Sequence, residues 1–260
     1  MKAQALLLAA AIALASSPLA AAAVYHVSPS GSDANPGTEA RPWKTIGKAA
    51  TALGPGDTVL IGPGAYRERV RVERSGEPNR YVTFAAAPAT APVIDGTGLR
   101  VEKDEALFEI RGASHIRVVG LHIANSAQAG LLAEEASDLV IQGIHTEHTG
   151  SSGIGVWGCR DVVIDGNEVA HSCSGMWQEA ISVAGTAGFV VSNNLVYNGL
   201  PGHKKEGICL KDGSSHGRAY GNHVHHVTAV GIYVDAWDKH TFDIEVSANN
   251  VHDILDSGGI

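Results

Sequence analysis

The feature that most constrains this chain is an internal repeat. Segments of one kind begin at Ile116, Leu139, Val162, Phe189, Gly217 and Ile244, spaced 23, 23, 27, 28 and 27 residues apart. The first four read Ile116-Arg-Val-Val-Gly, Leu139-Val-Ile-Gln-Gly, Val162-Val-Ile-Asp-Gly and Phe189-Val-Val-Ser-Asn. A second pattern lies between them: Gly130-Leu-Leu-Ala, Gly153-Ile-Gly-Val, Ala180-Ile-Ser-Val, Gly207-Ile-Cys-Leu, Gly231-Ile-Tyr-Val and Gly258-Gly-Ile. Both alternate apolar residues with others at the period of two that belongs to strands, and neither has helical spacing. One such unit cannot bury its apolar side alone. Stacking units about 4.8 Å apart makes a continuous core, so the pattern predicts an all-β parallel solenoid rather than separate globular domains.

A third element of the repeat supports stacking. Asn167, Asn194, Asn222 and Asn249 occupy the same place in successive units, each followed two residues later by a valine. Asparagines stacked in this way can hydrogen-bond along the solenoid axis and satisfy one another's amides.

The chain opens differently. Residues 1–23 have the form of a signal peptide: Lys2 supplies the positive charge, Leu6 to Leu14 the apolar run, and Ala21-Ala22-Ala23 the small residues for cleavage near Val24. This predicts a secreted or periplasmic protein whose mature domain, 24–260, has no membrane span, since no later segment approaches about 18 uninterrupted apolar residues. Tyr25-His-Val-Ser reads as a short strand and residues 31–41 as a Gly/Pro/Asp/Asn-rich loop. Trp43 to Leu53 carries Ile46, Ala49, Ala50 and Leu53 at helical spacing, an amphipathic helix fit to cap the open apolar end of the first coil. At the other end, Ile260 falls where a further strand should begin and no capping segment follows, so the last coil is expected to be cut short.

Without residues 1–23 the chain holds 18 basic against 27 acidic residues. That balance disfavours nucleic acid as a partner, which requires a basic surface, while leaving room for an anionic polysaccharide at a local basic spot. The reading is a monomer acting on a polysaccharide. Of the three cysteines, Cys159 and Cys173 could pair in an exported protein, and the odd count leaves at least one free.

The N-terminal motifs also carry a resemblance. Tyr25-x-Val-Ser-Pro-x-Gly-Ser-Asp-x-Asn-Pro-Gly-Thr, then Pro42-Trp-Lys-Thr-Ile, Pro55-Gly-Asp-Thr-Val and Pro63-Gly-x-Tyr-Arg-Glu, resemble the opening of secreted right-handed parallel β-helix proteins of the pectate-lyase superfamily. The resemblance implies that handedness. It leaves activity open, because the fold hosts lyases, hydrolases, epimerases and proteins without catalysis.

Chemistry is expected on the second strand pattern. With Ile154/Val156, Ile181/Val183, Ile208/Leu210 and Ile232/Val234 pointing inward, Gly155, Ser182, Cys209 and Tyr233 form one external column. Glu134, Trp157, Ala184, Lys211 and Asp235 form the next. Loop lengths single out the same coils. Ile123 to Leu131, Thr146 to Ile154 and Val224 to Ile232 each take 8 residues, but Val169 to Ile181 and Val196 to Ile208 take 12. Those longer loops lead into Glu179 and Glu206, and extra loops on one face of a solenoid commonly build its binding face.

The candidate catalytic residues are Lys211, Glu206 and Glu179. Candidate substrate contacts are His203, Lys204, Lys205, Tyr233, Lys239 and His240, with Trp177 and Trp237 as sugar platforms. Glu179, Glu206, Asp212, Asp235 and Asp238 make an all-oxygen set of the kind calcium prefers. For a uronate polymer this implies β-elimination: a cation neutralises the carboxylate beside the C5 proton and a base, Lys211 with a lowered pKa, removes that proton. Glu206 and Lys211 resemble the acid-and-lysine strand of β-helical uronate lyases, although Cys209 stands where an acid would complete that pattern. Two alternatives stay open. Glu179 and Glu206 could serve a glycoside hydrolase, or the chain could be a non-catalytic carbohydrate-binding or structural β-helix. A further metal reading places His122, His145 and Glu168 on equivalent outward positions of adjacent coils, with His223 and His225 sharing a strand face, as a zinc set.

Overall fold

The computed structural model describes residues 21–175, 178–199, 205–256 and 258–260. The chain is an all-β parallel solenoid with one short helix. Three parallel sheets run its length, of nine, seven and eight strands, and each coil contributes one strand to each sheet along most of the stack. The described part of the leader assigned to residues 1–23 is its last three residues. No helix of the described residues is long and apolar enough to cross a membrane.

The register is the one the repeat predicts. In the nine-stranded sheet Ile116 pairs with Leu139, Leu139 with Val162, Val162 with Phe189, Phe189 with Gly217 and Gly217 with Ile244. In the seven-stranded sheet Leu131, Ile154, Ile181, Ile208 and Ile232 align coil on coil. The inward members of both sets are buried in one continuous core up to Ile232; at the last coil Ile244 is only partly buried, and Val234, expected to point inward, is exposed where no further strand of the described residues covers it. One inward column shows how volume is shared between coils. A Cβ placed on Gly217 would lie 2.0 Å from Cζ of Phe189, so the phenyl ring fills the space above a residue that has no side chain.

The predicted asparagine ladder forms. Asn167 Nδ2 donates to Asn194 Oδ1, Asn194 Nδ2 to Asn222 Oδ1 and Asn222 Nδ2 to Asn249 Oδ1, each at 2.9 Å. Each of these acceptors also takes the backbone N–H of the asparagine one coil before it. The second amide hydrogen reaches a strand carbonyl, as from Asn194 to Ile164 at 3.0 Å. Every donor and acceptor of the buried amides is thereby used, which is the condition for keeping such groups out of water.

The corner just before the ladder explains why the first strand pattern ends in glycine. Gly120, Gly143, Gly166 and Gly221 there have φ of 69, 60, 62 and 66°, the left-handed region, with Asn193 at 55° and Ala248 at 53°. Gly and Asn enter that region at low cost, whereas alanine's Cβ crowds the following carbonyl.

The capping helix spans Ile46–Ala52, with Thr45 as its N-cap accepting from Lys48 N. Ile46, Ala49, Ala50 and Leu53 are buried against the first coils, as their spacing predicts. Glu68 accepts from the N–H groups of Ile46 and Gly47 at 2.9 Å each, tying the helix start to the stack. At the far end Ile244, Val246, Val251 and Ile254 are only partly buried. There Gly258 and Gly259 accept from Gly231 N and Ile232 N, continuing the seven-stranded sheet.

Cys159, Cys173 and Cys209 are all buried free thiols, and Cys159 and Cys173 are not joined. Burial pushes the Cys159 thiol up to about 11 and the other two higher still, so none is a ready thiolate at neutral pH.

Candidate functional site

The outer face of the seven-stranded sheet carries a cleft of about 370 Å³ lined by Asp104, Glu134, Trp157, Gln178, Ala184, Lys211 and Asp212. Its floor is the predicted second column. Glu134 pairs with Trp157, Trp157 with Ala184 and Ala184 with Lys211 on successive coils. Ala184 makes the trough. Its small side chain lies between the indole of Trp157 and the amine of Lys211, which stand two coils, or about 10 Å, apart along the axis.

The first column is closed to solvent at Gly155, Ser182 and Cys209, although these positions face outward, and open only at Tyr233. Farther along the same face Leu132 joins Ala106 and Ala129 in a small apolar cluster, with Trp157 packed against it. The Trp157 Nε1–H reaches Ser182 Oγ at 3.3 Å, which helps fix the ring on the cleft floor.

Lys211 ends the strand Ile208–Lys211, and its side chain is only 15% exposed. Its Nζ donates to Glu179 Oε1 at 2.8 Å and to Gln178 Oε1 at 3.4 Å. Burial opposes the ammonium charge, but the Glu179 carboxylate outweighs burial, and the Lys211 pKa lies above the usual lysine value. The expectation of a lowered pKa is therefore corrected: at rest Lys211 is the cation of an ion pair. Glu179 is itself buried, and its second oxygen, Oε2, has no hydrogen-bond partner. Glu206 precedes Ile208 as Glu179 precedes Ile181, so the two acids stand one coil apart. Burial, with the Glu179 charge adding to it, raises the Glu206 pKa above the usual carboxylate value.

The other predicted contacts separate. Asp212 lines the cleft directly after Lys211. Tyr233 is exposed, and the Asp235 charge raises its phenol pKa. Asp235 is half-buried, and its carbonyl accepts from the Thr241 hydroxyl at 2.6 Å. Asp238, Lys239 and His240 are exposed on the following loop, where the His240 ring stacks on Phe242 at 5.1 Å. Trp237 on that loop is 87% exposed and is not a cleft residue. Lys205 is corrected as a substrate contact: it is buried, with its backbone N–H on Thr228 Oγ1. Trp177, His203 and Lys204 lie outside the described residues. Of the other residues that line the cleft, Trp157 and Glu134 were placed on this face but given no role, and Gln178 and Asp104 were not anticipated. The first two were legible as members of the Lys211 column. Asp104, from a loop several coils away, had no local signal.

Two of the five acids assigned to calcium suit a cation: Glu179, with its unpartnered buried oxygen, and Glu206, whose ionisation burial and, after it, the Glu179 charge resist. Among the described residues no three of Glu179, Glu206, Asp212, Asp235 and Asp238 bring carboxylate oxygens within 4.8 Å of one another. Calcium takes about six to eight oxygens, so Glu179 and Glu206 alone do not complete such a shell.

Residues 25–250 match the family described as "Pel9A-like, right handed beta helix region". Over 99 residues the chain is 34% identical to the uncharacterized protein YwoF of Bacillus subtilis (strain 168), covering 38% of this chain and 21% of YwoF. A solved rhamnogalacturonan lyase is similar at TM-score 0.53 and 16% identity, over 91% of this chain and 62% of that one. PfbA, a surface adhesin of Streptococcus pneumoniae, is similar at TM-score 0.60 and 12% identity, over 77% and 55%. At these identities the structural likeness concerns the fold alone. The chain spans about a fifth of the curated relative and under two thirds of either solved structure. With the match covering most of its length, the chain belongs to the Pel9A-like right-handed β-helix family.

Proposed function

We propose that this protein cleaves an acidic, uronate-containing polysaccharide by β-elimination in the cleft beside Lys211, outside the cytoplasm. The observation that carries the reading is the Glu179–Lys211 pair at 2.8 Å: the amine lines the cleft at the end of its strand, and the carboxylate is buried beside it, just before the adjacent strand Ile181–Ala184. Family membership and the lyase among the structural relatives agree with it.

Trp157 offers an apolar face to a sugar ring, and Ala184 leaves the depth in which the next unit sits. Glu179 and Glu206 are the residues that would hold calcium together with the substrate's own carboxylate. Bound there, the ion would neutralise that carboxylate and make the neighbouring C5 proton more acidic. Lys211 takes that proton once it is a neutral amine. The C5–H electron pair then forms the C4–C5 double bond, and the bond from C4 to the glycosidic oxygen breaks, the oxygen leaving with that bond's electron pair and taking a proton from water. In the resting protein Glu179 keeps Lys211 protonated, so turnover should rise with pH toward the alkaline range.

The raised pKa of Glu206 beside a Glu179 paired to a cation also favours a second reading, a hydrolase with Glu206 as acid and Glu179 as the ionised partner. Variant ranking separates the two. Under elimination, Lys211→Ala lowers kcat by about a hundredfold or more, the scale of a lost general base, and Glu206→Gln mainly raises KM. Under hydrolysis the order reverses. A purely adhesive protein shows no turnover in any variant.

A further inference from the structure

We propose a second site, for a zinc-class transition metal, formed by His122, His145 and Glu147 on the outer face of the eight-stranded sheet. This face is separate from the seven-stranded sheet that carries Lys211. His122 and His145 pair in register on adjacent strands, with Ile123 and Thr146 buried behind them. Their rings stack at 4.4 Å between centroids and 7° between planes. His122 Nε2 lies 3.0 Å from Glu147 Oε1, and one ligand atom from each of the three residues lies within 4.8 Å of the others.

An independent observation points the same way. His145 Nε2 is shielded from solvent and has no hydrogen-bond partner. A ring nitrogen kept from water and left unpaired costs stability unless something occupies it, and a metal ion is such a partner. Glu168 is in register with His145 one coil on, but the Tyr197 hydroxyl already donates to its carboxylate at 2.6 Å. Glu147 therefore completes the trio, in place of the Glu168 that strand alternation suggested.

The donor chemistry selects the metal. Two imidazoles and one carboxylate suit zinc, cobalt or nickel better than calcium, which prefers an all-oxygen shell. All three residues are partly buried rather than free on the surface. Three protein ligands leave a fourth position for water or a substrate oxygen, the arrangement found in zinc sites that act on bound molecules. Coordination requires that the two parallel rings tilt so that their nitrogens converge on one ion, which replaces the hydrogen bond between His122 Nε2 and Glu147 Oε1. His148 flanks the trio, its Nδ1 3.6 Å from Glu147 Oε2, and stacks on His171 at 4.9 Å.

The test is titration of the untagged full chain with cobalt(II) and zinc(II), followed by cobalt d–d absorption and by calorimetry. A competing histidine cluster has to be separated, because His223 Nε2 and His252 Nε2 meet at 2.8 Å on the same sheet. The expected result is one equivalent of cobalt with a tetrahedral or five-coordinate spectrum, displaced by zinc and not by calcium. His145→Ala and Glu147→Gln should each weaken binding by roughly tenfold or more, while His223→Ala with His252→Ala leaves it unchanged. Circular dichroism identifies any variant that fails to fold, and the conservative His145→Asn then replaces His145→Ala. The proposal is overturned if the wild-type chain shows no binding tighter than millimolar. It is equally overturned if binding survives in folded His145 and Glu147 variants and is lost in the His223/His252 pair.

Discussion

Lys211 is the residue on which the chemistry turns, and its partner decides its protonation. Because Glu179 holds its pKa above the usual lysine value, the ion pair contributes stability below the ordinary lysine range and loses it as pH rises through the raised value. Glu179→Gln removes the counter-charge. Amine acylation of Lys211, followed by mass spectrometry across pH, should then begin at lower pH than in the wild type, and alkaline unfolding should lose part of its pH dependence. An unchanged labelling profile would mean that Glu179 does not set the lysine's charge. Ala184 gives a steric counterpart. Ala184→Leu fills the trough between Trp157 and Lys211, so substrate KM should rise severalfold while the thermal transition stays in place, because the side chain faces away from the core.

Among the repeated elements, the asparagine ladder and the packing columns make separate claims on stability. Asn194→Ala takes the acceptor from two Asn167 donors and the donor from the Ile164 carbonyl. We expect a loss of about 3 kcal/mol in urea unfolding, the scale of leaving buried polar groups unpaired. Asn249→Ala, at a half-buried position, should cost less. The column through Phe189 and Gly217 predicts coupling: Gly217→Val alone should cost about 3 kcal/mol by overpacking, and Phe189→Val in the same chain should recover most of it. Simple additivity of the two would refute shared volume between these coils. Ala248→Asn relieves a left-handed alanine and should stabilise by up to about 1 kcal/mol. These positions also show how far the sequence could be read. Register was legible from Ile116 to Ile244 because an apolar period of two admits no slip without exposing the core. The ladder was legible because identical residues recurred in step. Burial of Ser182, Cys209 and Lys205 was not, since alternation gives a side chain's direction but not what later packs over it.

For the whole molecule, the solenoid divides its chemistry by face. The seven-stranded sheet presents Trp157, Ala184 and Lys211 in one column, and the eight-stranded sheet presents histidines and acids in another. Stacking turns positions 27 residues apart in sequence, such as Ala184 and Lys211, into neighbours, which is why one column could be proposed from the repeat alone. What the repeat could not supply was contact between columns and loops: the grip of Glu179 on Lys211, and the approach of Asp104 to the cleft. The central claim is elimination at that cleft. The direct measurement is digestion of a panel of uronate polymers in heavy-oxygen water, with and without calcium, and mass analysis of the fragments. Elimination predicts unsaturated ends without solvent oxygen, formed by the wild type and absent in Lys211→Ala. Saturated fragments carrying one solvent oxygen, or unsaturated ends made undiminished by Lys211→Ala, would contradict it.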